Sequence, residues 1–170
     1  MTPLLVLVGG PGSGKTTVGV ALANRLGLRH HDLDDAVEQE FGRPRTEIFA
    51  DTGEDAYLAA AERLALSALL GDGVLSLSSV AVTSPAVRTA LSGHRVVWLQ
   101  VSAMQAARRL GLGELGMPTL LALRAAIEAS LRDRAPLYEV VSTFRVDTDR
   151  RAIETVVEQV LRLTEGVAQP

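Results

Sequence analysis

Residues 9–16 read GGPGSGKT, which satisfies the spacing G-x-x-x-x-G-K-[ST]. The run before it, LLVLV (4–8), is continuously apolar, as a strand covered on both faces should be. The residues after it carry Val18, Ala21, Leu22 and Leu26 on one helical face, predicting a helix from about Gly14 to Leu26. Strand, glycine-rich turn and helix in that order make a phosphate cradle. Gly9, Gly12 and Gly14 let the backbone wrap with its N–H groups inward, and the helix N-terminus adds its dipole. The candidate nucleotide ligands are Gly12, Ser13, Gly14, Lys15, Thr16 and Thr17. Lys15 is placed to reach the outer phosphates and the Thr16 hydroxyl to bind Mg²⁺. Lys15 is also the only lysine among 17 basic residues.

Working outward, helical and extended patterns alternate. LRHHDLD is a second, short strand, GVLSL (73–77) a third, RVVWLQV (95–101) a fourth and TFRVDT (143–148) a fifth. Residues 35–70 have helical spacing interrupted near Gly42-Arg43-Pro44 and at Thr52-Gly53. Helices are predicted over 84–93, with Ser84 as N-cap, over 102–110, and through most of TLLALRAAIEASLRDRAPLYEVV, where Pro136 marks a break. GLGELGMP (111–118) is a connector, a last helix runs from about Asp149 to Thr164, and the tail EGVAQP is expected to fray. Strands alternating with helices imply a parallel sheet covered on both faces.

The second strand runs into carboxylates. Asp32 and Asp34 are two apart in an extended segment, so both side chains are expected to face the phosphate crevice, while Asp35 is expected to cap the following helix. His30 and His31 have no metal-ligand partner at useful spacing and read as structural.

Composition narrows the function. The 170 residues fit one domain, 1–170, with 47% apolar residues. A net charge of −3 and a pI near 5.6 argue against nucleic-acid binding through a basic surface. No cysteine is present, which excludes disulfides and thiol catalysis and fits a reducing compartment such as the cytoplasm. No apolar stretch reaches the ~18 residues that a membrane span needs.

With these motifs in hand, the chain resembles the shikimate kinase family almost end to end. The resemblance rests on LVGGPGSGKTTVG, DLD with VEQEFGR, IFADTGE, GVLSL with AVTSPAVRTAL, VVWLQVS, RAPLY and RVDTDRR. It implies an α/β fold, the three-layer α/β/α P-loop kinase type with a central five-stranded parallel sheet, and a lid at about 111–118. It implies transfer of the γ-phosphoryl of ATP to the 3-hydroxyl of shikimate, with Mg²⁺, in a cytoplasmic monomer. Carried over residue by residue, it puts Lys15 and Thr16 on phosphate and metal and Asp32 near the metal. Asp34 holds the acceptor hydroxyls and serves as base, so Lys15 and Asp34 are the catalytic candidates. Arg134 pairs with the acceptor carboxylate, and Arg109 and Arg151 flank the adenine.

The departures lie in the acceptor half. Leu58 stands where the family has arginine, Ser78-Ser79-Val80 where it has three glycines, and Met117 where the lid has arginine. Ser78 and Ser79 offer hydroxyls to the acceptor. A β-branched valine is strained if the turn needs φ > 0. Losing one partner of a buried charge pair costs about 2–5 kcal/mol. Arg108, Arg124 or Arg132 could stand in. The alternative is a paralogue that binds MgATP with a changed or lost acceptor, as a regulator or partner. A nucleoside monophosphate kinase would show lid arginines, absent from 111–118. A GTPase would need a second lysine.

Overall fold

The computed structural model describes residues 5–112 and 116–165. Five strands form one parallel sheet in the order β2-β3-β1-β4-β5. They are β1 (Leu5–Val8), β2 (His30–Asp32), β3 (Val74–Ser76), β4 (Val96–Gln100) and β5 (Phe144–Asp147). Among the described residues seven α-helices connect and cover them: α1 (Lys15–Leu26), α2 (Leu33–Phe41), α3 (Arg45–Ala68), α4 (Pro85–Ala90), α5 (Ala103–Arg109), α6 (Met117–Val141) and α7 (Ile153–Glu165). The ends of the predicted elements move by one to a few residues. Leu4 and the tail 166–170 lie outside the described residues.

The sheet is apolar on both faces because helices cover both. Leu5 and Leu7 point to one side, into a core with Val18 and Leu22 of α1 and Val156, Val157 and Val160 of α7. Val6 and Val8 alternate to the other, against Leu33, Ala65, Leu69, Val87 and Tyr138. This is a three-layer α/β/α fold, as the alternation of elements requires. The strand order reverses at β1, with β3 on one side and β4 on the other. Crevices open at the carboxyl ends of strands at such a point, and the loop 9–16 begins there.

Four expectations change. Leu26 is 37% exposed, and the buried stripe of α1 runs instead through Val18, Gly19, Leu22 and Ala23. Pro136 does not break its helix; α6 continues through it, held by buried Ile127 and Tyr138 on either side. The last helix begins at Ile153, after a turn in which Arg150 has φ 54. Asp34 lies inside α2 rather than in an extended strand, and Asp32, not Asp35, is the N-cap. The Asp32 side chain accepts a hydrogen bond from the Asp34 backbone N–H at 2.9 Å, which ends the strand two residues before the end of LRHHDLD and starts the helix at Leu33. The predicted interruptions at 42–44 and 52–53 are present. Gly42 ends α2, and α3 kinks at Gly53 with φ 80, ψ 168, a conformation that glycine tolerates.

Candidate active site

The phosphate loop joins β1 to α1. Gly12 has φ 72, and a Cβ there would lie 2.8 Å from the backbone of Ala106, so α5 packs directly on the loop. The Lys15 ammonium is buried and donates to the carbonyls of Gly9 at 2.9 Å and Gly10 at 3.1 Å. Burial lowers its pKa to about 8, against the opposing pull of Asp34 and Asp32. The buried Ser13 hydroxyl makes no hydrogen bond among the described residues. Thr17 lies on the exposed side of α1.

The Thr16 hydroxyl donates to Asp32 Oδ2 at 2.6 Å, across from α1 to the end of β2. A hydroxyl and a carboxylate in contact suit a hard cation, and Mg²⁺ takes one or two protein oxygens plus phosphate oxygens and water. No group of three or more metal-ligating side chains exists among the described residues. The donor set therefore fits Mg²⁺ delivered with a nucleotide.

Asp34 faces the loop from α2. Its Oδ1 accepts from the buried Tyr57 hydroxyl at 3.1 Å, and Tyr57 lies 3.3 Å from the Ser78 hydroxyl. Burial, and then the Asp34 charge, raise the Tyr57 pKa, so Tyr57 remains a phenol that donates. Asp34 Oδ2 lies 3.3 Å from the guanidinium of Arg45, the first residue of α3. Sequence reasoning missed Arg45. Only the return of α3 over α2 places it, helped by the Arg45 backbone N–H, which donates to Glu38 at 2.9 Å. The one signal in the sequence is an arginine directly after Pro44, where a helix starts.

Arg134 of α6 reaches the same place. It acts on the charge of Lys15 and hydrogen-bonds the Tyr138 hydroxyl, whose pKa is raised chiefly by burial. Tyr138 donates to the carbonyl of Ser79 at 2.8 Å. The turn 78–80 is thus fastened from two sides, by Tyr57 and by Tyr138. Val80 has φ −94, so this turn needs no glycine, and its side chain packs with Leu58 against Val37, Ile48, Tyr57 and Ala61. The possible stand-ins Arg108 and Arg124 are exposed, and Arg132 pairs with Asp133 at 3.3 Å. Met117 is 65% exposed at the start of α6, and residues 113–115 of the expected lid lie outside the described residues.

Arg109 touches the other side of the loop, and Arg151 lies in the turn after β5. Arg109 donates to the carbonyl of Gly12 at 3.1 Å and to the Thr148 hydroxyl at 2.9 Å, tying the phosphate loop to the turn after β5. Arg151 donates to Gln159 at 2.6 Å. His30 bonds the Ser76 hydroxyl at 2.9 Å, and burial lowers its pKa. His31 lies 3.8 Å from Asp72 at the surface.

A phosphate loop at the strand-order reversal, with a hydroxyl-carboxylate pair beside it and a second carboxylate opposite, defines a P-loop kinase. The comparisons narrow the class. The family model for shikimate kinase matches residues 11–165. A shikimate kinase of Mycobacterium ulcerans is 48% identical over 164 residues, 95% of this chain and 89% of that protein. Among solved structures, a shikimate kinase from Bacteroides thetaiotaomicron superposes with TM-score 0.81 at 26% identity, covering 96% of this chain and 98% of that one. One from Acinetobacter baumannii, in complex with shikimate, gives 0.85 at 24% identity, over 99% and 96%, and speaks for the fold alone. The chain belongs to the shikimate kinase family. It is a kinase that uses ATP with Mg²⁺. No helix among the described residues is long and apolar enough to cross a membrane.

Proposed function

We propose that the chain phosphorylates the 3-hydroxyl of shikimate with MgATP, a step of aromatic amino acid biosynthesis. The observation that carries the reading is the meeting of Lys15, Thr16 and Asp32 at the phosphate loop, with Asp34 following at the start of α2 and Arg134 within electrostatic reach of Lys15. Relatives at 47–48% identity over 95% of the chain favour this over a paralogue without an acceptor. Against that identity, Leu58, Val80 and Met117 are a small part of the comparison.

The roles follow from position. Lys15 leaves the carbonyls of Gly9 and Gly10 for the outer phosphates, where its charge offsets the negative charge of the transferring group. The backbone N–H groups of Gly12, Ser13 and Gly14, with Thr17 behind them, cradle the remaining phosphates, and the Ser13 hydroxyl gains a partner there. Thr16 and Asp32 would hold Mg²⁺, which would supply charge to screen the phosphate oxygens. Asp34 orients the acceptor hydroxyl and takes its proton as the new P–O bond forms and the bond to the departing ADP breaks. Arg134 faces the acceptor carboxylate, and Ser78 and Ser79 border it. Arg109 and Arg151 flank the adenine.

The chain acts as one domain over 1–170, with 111–118 as its lid, as a cytoplasmic monomer. In support, one sheet runs through the described residues. Product identification tests the reaction. After incubation with MgATP and shikimate, phosphorus NMR should show a single phosphate monoester coupled to the proton at C3. A product without that coupling, or none, would contradict the assignment.

A further inference from the structure

The acceptor end of the site contains a cation that the proposed roles leave unused. Arg45 stands at the first position of α3, its backbone fixed by Glu38 and its guanidinium 3.3 Å from Asp34 Oδ2. The pair is not a stabilising device. Its side chains are 42% and 31% exposed, and exposed ion pairs of this kind add little to folding. Tyr57 already satisfies the other oxygen of Asp34. The apolar neighbours Leu58 and Val80 close the space beside Tyr57 without offering charge. Arg134 lies one turn before Tyr138 on α6, whose hydroxyl binds the turn at Ser79, and Asp34 is linked to the same turn through Tyr57 and Ser78, so guanidinium groups approach the Asp34 end of the site from α3 and from α6.

We propose that Arg45 is a specificity-determining residue, forming with Arg134 a two-sided clamp on the carboxylate of the acceptor. This rests on the proposed function and deepens it. Arg45 has a rigid fork of donors that suits a carboxylate. While holding Asp34 it keeps that carboxylate turned toward the acceptor hydroxyls; on binding, the remaining N–H groups take the acceptor's own carboxylate. The clamp therefore selects a hydroxylated acid over the same ring without its negative charge.

The test compares wild type, Arg45→Ala and Arg45→Gln with two acceptors, shikimate and its methyl ester, at saturating MgATP. Because the backbone N–H of Arg45 makes the contact to Glu38, both variants retain it. The expected result is a loss of roughly 30-fold in kcat/KM for shikimate. The ester should lose no more than about fivefold, and KM for ATP should stay unchanged. Equal losses on both acceptors, or none on either, with an active wild type, would overturn the clamp and leave the proposed function standing. A wild type that neither binds shikimate by calorimetry nor releases ADP with it would overturn both.

Discussion

Under the proposed roles Lys15 carries the phosphate chemistry, and its burial makes it measurable at the level of a single residue. A folded-state pKa of about 8, below the ordinary 10.5, means that the unfolded chain binds more protons between those values. Stability should therefore rise with pH across that window, while below about pH 8 the burial penalty of the charged form applies in full. Removing the charge lifts that penalty. Lys15→Met is expected to be more stable than wild type at pH 7, and the advantage should shrink by about 2 kcal/mol by pH 9.5. Urea denaturation of both proteins at the two pH values checks it. A constant difference would mean that Lys15 is not held as a buried cation. The nucleotide loop was readable at this scale because its chemistry is written in eight contiguous residues, 9–16. Arg45 was not, because its partner Asp34 lies on another helix and no local pattern joins them.

At the scale of elements, the turn 78–80 shows how sequence expectation and geometry part. Serine and valine in place of glycine suggest strain or a blocked site. Yet Val80 sits at φ −94, and its side chain fills the cluster formed by α2 and α3. Helix α6 then holds the turn from behind through the bond from Tyr138 to Ser79. Tyr138→Phe keeps the ring, packed 5.6 Å from Trp98, and removes the hydroxyl, with it the bond to Ser79 and the contact to Arg134. It should cost about 1–3 kcal/mol, because the Ser79 carbonyl would be left buried and unpaired. It should also raise KM for shikimate more than KM for ATP, since under the proposed roles the turn borders the acceptor. Equilibrium unfolding with steady-state kinetics decides it. A variant as stable as wild type would show that the turn stands without α6. The kink at Gly53 and the end of α2 at Gly42 were legible because glycine punctuates the chain wherever it occurs. The capping by Asp32 was not, because an aspartate at the end of a strand looks the same whether it continues the strand or starts a helix. Pro136 misled for a related reason: the missing N–H removes one hydrogen bond, while buried residues on both sides keep α6 continuous.

For the whole molecule, the sheet order decides what the residues can do. With β1 at the centre, the phosphate loop, the carboxylates after β2 and the turn after β3 meet at one edge. Alternating apolar strands and helices made the three-layer fold predictable, since both faces of the sheet had to be covered. The proposed acceptor half is assembled from α2, α3, α6 and the turn, four separate segments, so its chemistry emerges only after folding. The central claim is that this edge transfers phosphoryl from MgATP to shikimate. The direct measurement is ADP release by the purified protein with MgATP, with and without millimolar shikimate. The account predicts strong stimulation by shikimate, at a rate in the range of about 1–100 s⁻¹ usual for kinases. MgATP binding without stimulation would contradict it, leaving a phosphate loop whose acceptor is another molecule.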